Sequence, residues 1–462
     1  MPARASKPAR PSASSKRNAR PRASARSRAT SARPPRAASA APVARASARP
    51  AKVLKVKTPG ADAAAYEVRL GAGILPAAAE GLISPGQAAL VVIDSRLEGG
   101  VIEPILRSID RARARWGVCV VPATETDKSL VTAERALTEA ARIRLGRDGL
   151  VIGVGGGIVT DVAGFVAAVL KRGVRHVQCP TSLLAMVDAA VGGKTAVNLS
   201  VPAGGPGQSV SGPARLLKNA VGVFHQPARV VCDVGTLTTL PRRELRCGLA
   251  ECLKHALIAG SATPGARDLK LLDWTERALD QVLALDQSAL IQLVARNLAI
   301  KIDVVSRDPF EHGSGIDGGR MMLNLGHTFA HVFETLPGLS WPDPAAAAGP
   351  IQLGPLKHGE AVALGLLCAT RVAERIKLLA PARREPPLSE RLHVALHRIG
   401  LPTRVSGLPD ASTIVDRMLD DKKIVAGRLR LILPARGFQA RIVTEPAREA
   451  VVSAIDALRD AR

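Results

Sequence analysis

Residues 149–173, GLVIGVGGGIVTDVAGFVAAVLKRG, decide the fold. An apolar run over Gly149–Val154 ends in Gly155, Gly156 and Gly157, and a helical stretch over Val159–Leu170 follows. Strand, glycine turn and helix in that order aim backbone N–H groups and a helix dipole at one place where a phosphate can sit. The spacing is not the dinucleotide fingerprint. Counted from Gly153, Ile158 stands where the third glycine belongs; counted from Gly155, Thr160 does. A tight strand-to-helix turn would look the same. Asp161, four residues beyond the last glycine, either steadies the helix dipole or touches a cofactor.

Further apolar runs lie on both sides. Ala88–Asp94, Val118–Pro122, Arg175–Cys179 and Arg229–Asp233 predict buried strands, and 129–145 has helical spacing. Strands alternating with helices predict an α/β, Rossmann-like domain with a mostly parallel sheet, expected over 53–240. After about Pro241 the strand signals fade. Helices are predicted over 245–258, 289–305, 323–336, 361–379 and 414–419, so 241–462 is expected to be mostly α-helical. Three stretches rich in Gly, Pro or Ala, 199–214, 309–319 and 337–355, read as loop insertions.

The 462 residues allow roughly two to four domains. Apolar residues make up 47% and aromatics only 2%, so the core is built from Ala, Val, Leu and Ile. No run reaches the ~18–20 apolar residues of a membrane span, and the N-terminus has no apolar signal core. Six scattered cysteines without a CxxC pair argue against disulfides and a thiolate zinc site, and fit a reducing cytoplasm.

The net charge of +24 is uneven. Residues 1–52 hold 11 Arg, 3 Lys and no acid, or +14, which leaves +10 for the rest. This Arg/Ala/Ser/Pro-rich segment cannot bury enough surface to offset chain entropy and is expected to be a disordered tail. It reads as a solvated extension, as an arm for nucleic acid or another anionic surface, or as a transit peptide. It has no aromatic residue for base stacking.

Three segments hold candidate metal chemistry. GLAECLKH (248–255) sets Glu251 and Lys254 one helical turn apart. NLGHTFAH (324–331) sets His327 and His331 on one helix face. KHGE (357–360) adds His358 at a predicted helix start. Two imidazoles and a carboxylate make a site with an open position, suited to Zn²⁺ as a Lewis acid; spacing alone does not say which of these residues are ligands. VGGKT (191–195) is not a P-loop, because Asp188 stands where GxxxxGK[ST] needs glycine. Lys194 still offers a phosphate a point charge. Lys254, Lys301, Arg320 and the Lys422–Lys423 pair are candidates for a cationic lining that takes a carboxylate and a phosphate.

Together the segments 155–173, 180–198, 240–258, 323–331, 357–365 and 421–433 resemble, in order, those of the 3-dehydroquinate synthase family of sugar phosphate cyclases. The tail has no counterpart there. The resemblance implies an NAD-binding α/β domain and a helical metal domain, with the active site between them. It implies conversion of 3-deoxy-D-arabino-heptulosonate 7-phosphate to 3-dehydroquinate and phosphate, in the shikimate pathway of aromatic amino acid biosynthesis. An alcohol is oxidised by NAD⁺, phosphate leaves by β-elimination, the hydride returns, the ring opens and an aldol step closes the carbocycle. The implied cofactors are NAD and one divalent metal, Zn or Co.

Carried over by position, the resemblance implies Glu251, His327 and His358 as metal ligands and His331 as a proton-relay residue. Implied NAD contacts are Asp94, Glu125, Lys128, Gly156, Gly157, Asp161, Thr181, Ser182 and the Thr236–Thr239 stretch. Lys218 and Asn219 fall near both cofactor and substrate. The implied substrate site holds Asp188, Lys194, Lys254, Lys301, Arg320, Asn324 and one of Lys422 or Lys423. Arg172 is expected to reach the phosphate site of the neighbouring subunit of a homodimer. Arg96 stands where the family usually has Asn, and the Lys194–Lys218, Lys301–Arg320 and His331–His358 gaps are long. The alternatives are a sister cyclase acting on another heptulose phosphate and a metal- and NAD-dependent polyol dehydrogenase.

Overall fold

The computed structural model describes residues 50–57, 65–97, 99–202, 215–312, 319–342, 350–352, 355–379, 385–419 and 428–460. Nearly all of the basic tail, parts of the three expected insertions, and Lys422 and Lys423 lie outside them. The tail boundary moves slightly. A strand, β1 (Lys52–Val56), already begins at Lys52 and pairs antiparallel with β2 (Tyr66–Gly71).

The strand β3 (Ala88–Asp94) is buried along its whole length. Leu90 and Val92 join the apolar cluster on one sheet face, and Ala89, Val91 and Ile93 the cluster on the other. That is the period-two alternation of a strand covered on both sides, as parallel sheets are. The covering helix α1 (Ile102–Arg111) precedes β4 (Arg115–Val121), and α2 (Leu130–Arg142) precedes β5 (Leu150–Gly155). Ser129 caps α2 by accepting from the Thr132 N–H. Then come α3 (Gly157–Val169) and β6 (Arg175–Pro180). A hairpin of β7 (Lys194–Val201) and β8 (Arg215–Phe224) precedes β9 (Arg229–Asp233).

The sheet order is β1-β2-β9-β6-β5-β3-β4, parallel except for β1. The expected mostly parallel α/β sheet is therefore present. The carboxyl ends of β3, β5, β6 and β9 share one edge, the side on which open α/β sheets bind ligands.

From Arg242 helices dominate: α4 (Arg242–Ile258), α5 (Leu271–Leu283), α6 (Gln287–Arg307) and α7 (His327–Phe333). A short ladder of β10 (Ser340–Pro342) and β11 (Pro350–Gln352) precedes α8 (His358–Arg375), α9 (Leu388–Ile399) and α10 (Ala411–Leu419). A hairpin of β12 (Arg430–Ala435) and β13 (Gln439–Thr444), then α11 (Arg448–Asp456), complete the described chain. The main apolar cluster runs from β2 and β9 through α4, α6, α7 and α8, so Ser47–Arg462 is one compact unit. No helix among the described residues is long and apolar enough to cross a membrane.

One expectation needs correction. The helix expected over 323–336 is broken: a short helical turn, Gly319–Asn324, gives way at Gly326 (φ 77°) to α7. Only glycine takes that backbone conformation without strain. The half beyond Pro241 is mostly helical as expected, with β12 and β13 forming a short ladder packed near α8 and α4.

Candidate active site

Three helices deliver one cluster. Helix α4 carries Glu251 and Lys254, α7 carries His327 and His331, and α8 begins at His358. The helices approach closely because glycines face them. A Cβ on Gly359 would overlap the Cys247 backbone of α4, and one on Gly365 would overlap the Gly326 carbonyl. Glu360 fixes the start of α8. It accepts from the Lys357 N–H at 2.9 Å and from Arg243 Nε and Nη2 at 2.5 and 2.7 Å.

Glu251 Oε1 lies 3.1 Å from His358 Nε2 and 3.6 Å from His327 Nε2. One ligand atom of each of the three residues lies within 4.8 Å of the others. Ligand atoms of a tetrahedral zinc site stand about 3.4 Å apart, given bonds of about 2.1 Å, so the trio fits such an ion. The back of each ring is also held. His327 Nδ1 donates to the Leu325 carbonyl at 3.1 Å, and His358 Nδ1 lies 2.6 Å from Glu334 Oε1. Bonding at Nδ1 leaves Nε2 to face the ion position.

Charge follows this geometry. Burial pushes the His327 pKa down to about 3. Burial would raise Glu251, but Lys254 and the two histidines hold it well below the usual carboxylate range. Burial opposes a charge on His358; hydrogen bonds to Glu251 and Glu334 outweigh it and raise the pKa to about 10. Glu334 is held at about 2 by His358 and Lys218 against its burial.

Beside the trio lies a buried cation cluster. Lys254 Nζ pairs with Glu251 Oε2 at 2.6 Å and with Asp188 Oδ2 at 3.4 Å. Lys301 pairs with Asp188 Oδ1. Asp188 sits in a single π turn, Ala185–Ala189, a distortion often found at functional sites. Burial would raise its pKa, and Lys254 with Lys301 drives it well down. For Lys301, burial and the nearby Arg320 and Lys254 outweigh Asp188 and lower the pKa to about 8.

Arg320 is 2% exposed, bonds the Gly192 and Pro309 carbonyls at 2.8 and 2.6 Å, and lies over the Phe224 ring. Glu311 binds both Lys194 and Asn324, the latter at 3.1 Å. His331 stands edge-on to His327 with ring centres 5.9 Å apart.

On the cofactor side, Gly156 caps α3 and Gly157 opens it at the carboxyl end of β5. Lys128 reaches Asp161 at 2.5 Å and also binds Asn219. Thr181 N–H donates to the Gly155 carbonyl at 2.9 Å, and Ser182 Oγ accepts from Ala185 N–H. A bulge in β7 presents Asn198, which donates to Glu125 at 2.9 Å and accepts from the Asn219 N–H at 2.8 Å. Lys218 binds Glu334 at 2.9 Å and lies 4.0 Å from Glu125.

Other expected residues stand apart from these bonds. Both Asp94 oxygens are engaged by Arg96, at 3.0 and 2.7 Å. Thr236 and Thr239 hydroxyls donate within their own turn, to the Asp233 and Thr236 carbonyls. Arg172 is exposed on the turn after α3. Glu334, Glu311 and Glu360 were not among the expected site residues. Glu334 had one sequence cue, its place three residues after His331; Glu311 lies in a stretch read as an insertion.

An open, mostly parallel α/β sheet joined to helices that bring a Glu/His/His trio beside buried lysines is the architecture of an enzyme that pairs a metal site with a site for an anionic substrate. Family models described as 3-dehydroquinate synthase N-terminal and C-terminal match residues 118–247 and 248–424. The chain is 39% identical to the 3-dehydroquinate synthase of Xylella fastidiosa (strain 9a5c) over 372 residues, covering 80% of this chain and 84% of that one. It is also 39% identical to that of Xanthomonas axonopodis pv. citri (strain 306), covering 79% and 88%. It belongs to the 3-dehydroquinate synthase family.

The fold is shared with a 2-epi-5-epi-valiolone synthase from Streptomyces hygroscopicus subsp. jinggangensis 5008, solved with NAD⁺ and Zn²⁺ bound. The TM-score is 0.66 at 23% identity, over 85% of this chain and 96% of that one. A 2-deoxy-scyllo-inosose synthase complexed with carbaglucose-6-phosphate, NAD⁺ and Co²⁺ matches with TM-score 0.66 at 21% identity, over 87% and 99%.

Proposed function

We propose that this chain is a shikimate-pathway enzyme, a carbon–oxygen lyase converting 3-deoxy-D-arabino-heptulosonate 7-phosphate to 3-dehydroquinate and phosphate. The observation that carries this reading is the metal-fitting trio set against buried Lys254 and Lys301. When bound, NAD supplies a reversible hydride acceptor and a divalent Zn or Co supplies Lewis acidity at a substrate hydroxyl.

The protein's own part is to bind, orient and hold charge. Glu251, His327 and His358 hold the metal. Lys254 and Lys301, buried and bridged by Asp188, meet the anionic substrate without reorganising. Lys194, Arg320 and Asn324 complete the lining, with Lys422 or Lys423. These cations stabilise the departing phosphate. His331 carries protons between substrate and solvent. Asp94, Glu125, Lys128, Gly156, Gly157, Asp161, Thr181, Ser182, Lys218, Asn219, Thr236 and Thr239 hold NAD in the 53–240 half, and 241–462 supplies the metal half. Arg172 completes the phosphate site of a partner in a homodimer. The enzyme works in the cytoplasm.

The test is a substrate panel with purified protein, NAD⁺ and Zn²⁺. Phosphate release from the heptulosonate phosphate, and none from sedoheptulose 7-phosphate, is the expected result. The reverse preference moves the chain to a sister cyclase reaction.

A further inference from the structure

Glu334 is the C-cap residue of α7 and contributes no ligand atom to the trio. Its side chain is 7% exposed and stands between two partners. One oxygen lies 2.6 Å from His358 Nδ1, and the other accepts from Lys218 Nζ at 2.9 Å. His358 Nε2, on the far side of the ring, faces Glu251. A line of contacts therefore runs Lys218–Glu334–His358–Glu251, from the β8 strand of the expected cofactor half to the centre of the trio.

The other histidine is held differently. His327 Nδ1 meets a neutral backbone carbonyl two residues away. His358 is half exposed, whereas His327 is buried. It is the first residue of its helix. Packing alone thus restrains the His358 ring less than that of His327. A charged acceptor forms a shorter and stronger hydrogen bond than a neutral one.

We propose that Glu334 is a positioning residue for the metal: it fixes the Nδ1–H tautomer and the ring plane of His358 so that Nε2 faces the ion, and Lys218 holds Glu334 in place. This rests on the proposed metal site and names a residue of that site to which no role has been given. Carboxylates behind metal-binding histidines raise ligand basicity, and their loss costs about 10–100-fold in metal affinity.

The test measures Zn²⁺ affinity by competition with a chromogenic chelator, on full-length protein saturated with NAD⁺. Glu334→Ala is expected to weaken Zn²⁺ binding about 10–100-fold. Glu334→Gln keeps the shape and one acceptor oxygen, so a smaller loss is expected with an unchanged melting temperature of the metal-free protein. Lys218→Ala should weaken Zn²⁺ less than Glu334→Ala does. The decisive comparison is made in a His358→Ala background, where Glu334→Gln should cost nothing more. Wild-type affinity in both Glu334 variants, or an equal loss with and without His358, overturns the proposal. A wild-type protein that binds no Zn²⁺ at all overturns the metal site itself.

Discussion

Lys301 and Lys254 share Asp188 inside the protein, and their charges differ in how firmly they are held. Lys254 has two carboxylate partners, and these outweigh its burial and raise its pKa. Lys301 has one, and burial lowers its pKa to about 8. A lysine with a depressed pKa is charged below that value and loses its proton as pH rises through it. If the Lys301 ammonium binds the anionic substrate, kcat/KM falls as pH rises through about 8, since kcat/KM reports the free enzyme. Lys301→Arg keeps the charge and should remove this alkaline limb. An unchanged limb in that variant would assign it to another group.

Glu251 gives a sharper test at the same scale. Glu251→Gln keeps the volume but takes away the charge that faces both imidazoles. Metal content measured by elemental analysis and turnover should fall together, turnover by at least about 100-fold. Full metal occupancy in the variant would remove Glu251 from the ligand set.

At the scale of elements, the helix contacts at glycine set the ligand spacing. Gly359 follows His358 directly and lies against Cys247, one turn before Glu251. Gly359→Ala forces α4 and α8 apart. The expected cost is about 1–3 kcal/mol of stability by denaturant unfolding, as for other overpacked contacts, with weaker Zn²⁺ binding besides. Unchanged stability and affinity would mean that the helices can shift freely there.

Much at this scale was legible in the sequence. Strands β3, β5, β6 and β9 show as apolar runs because parallel strands are buried on both faces. The β7–β8 hairpin was harder to see. Its partners are separated by a stretch rich in Gly and Pro, and a bulge at Asn198 breaks the alternation. The β12–β13 hairpin turns through Arg436–Phe438, where Pro434 and Gly437 hide the strand pattern. The segments that carry Glu251, His327 and His358 were visible, and the structure brings the three side chains together. Glu334 and Glu311 were not, because each gains meaning only from partners 13 to 117 residues away.

At the scale of the whole molecule, the charge divides into +14 over residues 1–52 and +10 over the rest. Strand β1 begins at Lys52, so a deletion of residues 1–49 leaves the sheet whole. That deletion should leave kcat unchanged at saturating substrate. A large loss of turnover would give the tail a part in catalysis. The body places a glycine turn at the carboxyl edge of a parallel sheet and a Glu/His/His trio on converging helices. In the proposed reaction this protein oxidises a substrate and returns the hydride within a single turnover.

The most direct measurement follows phosphate, dehydroquinate and NADH together, in one reaction with purified protein, heptulosonate 7-phosphate, NAD⁺ and Zn²⁺. The expected result is equal amounts of phosphate and dehydroquinate with no net NADH. NADH accumulating in step with substrate loss, without dehydroquinate, would contradict it and make the protein a dehydrogenase.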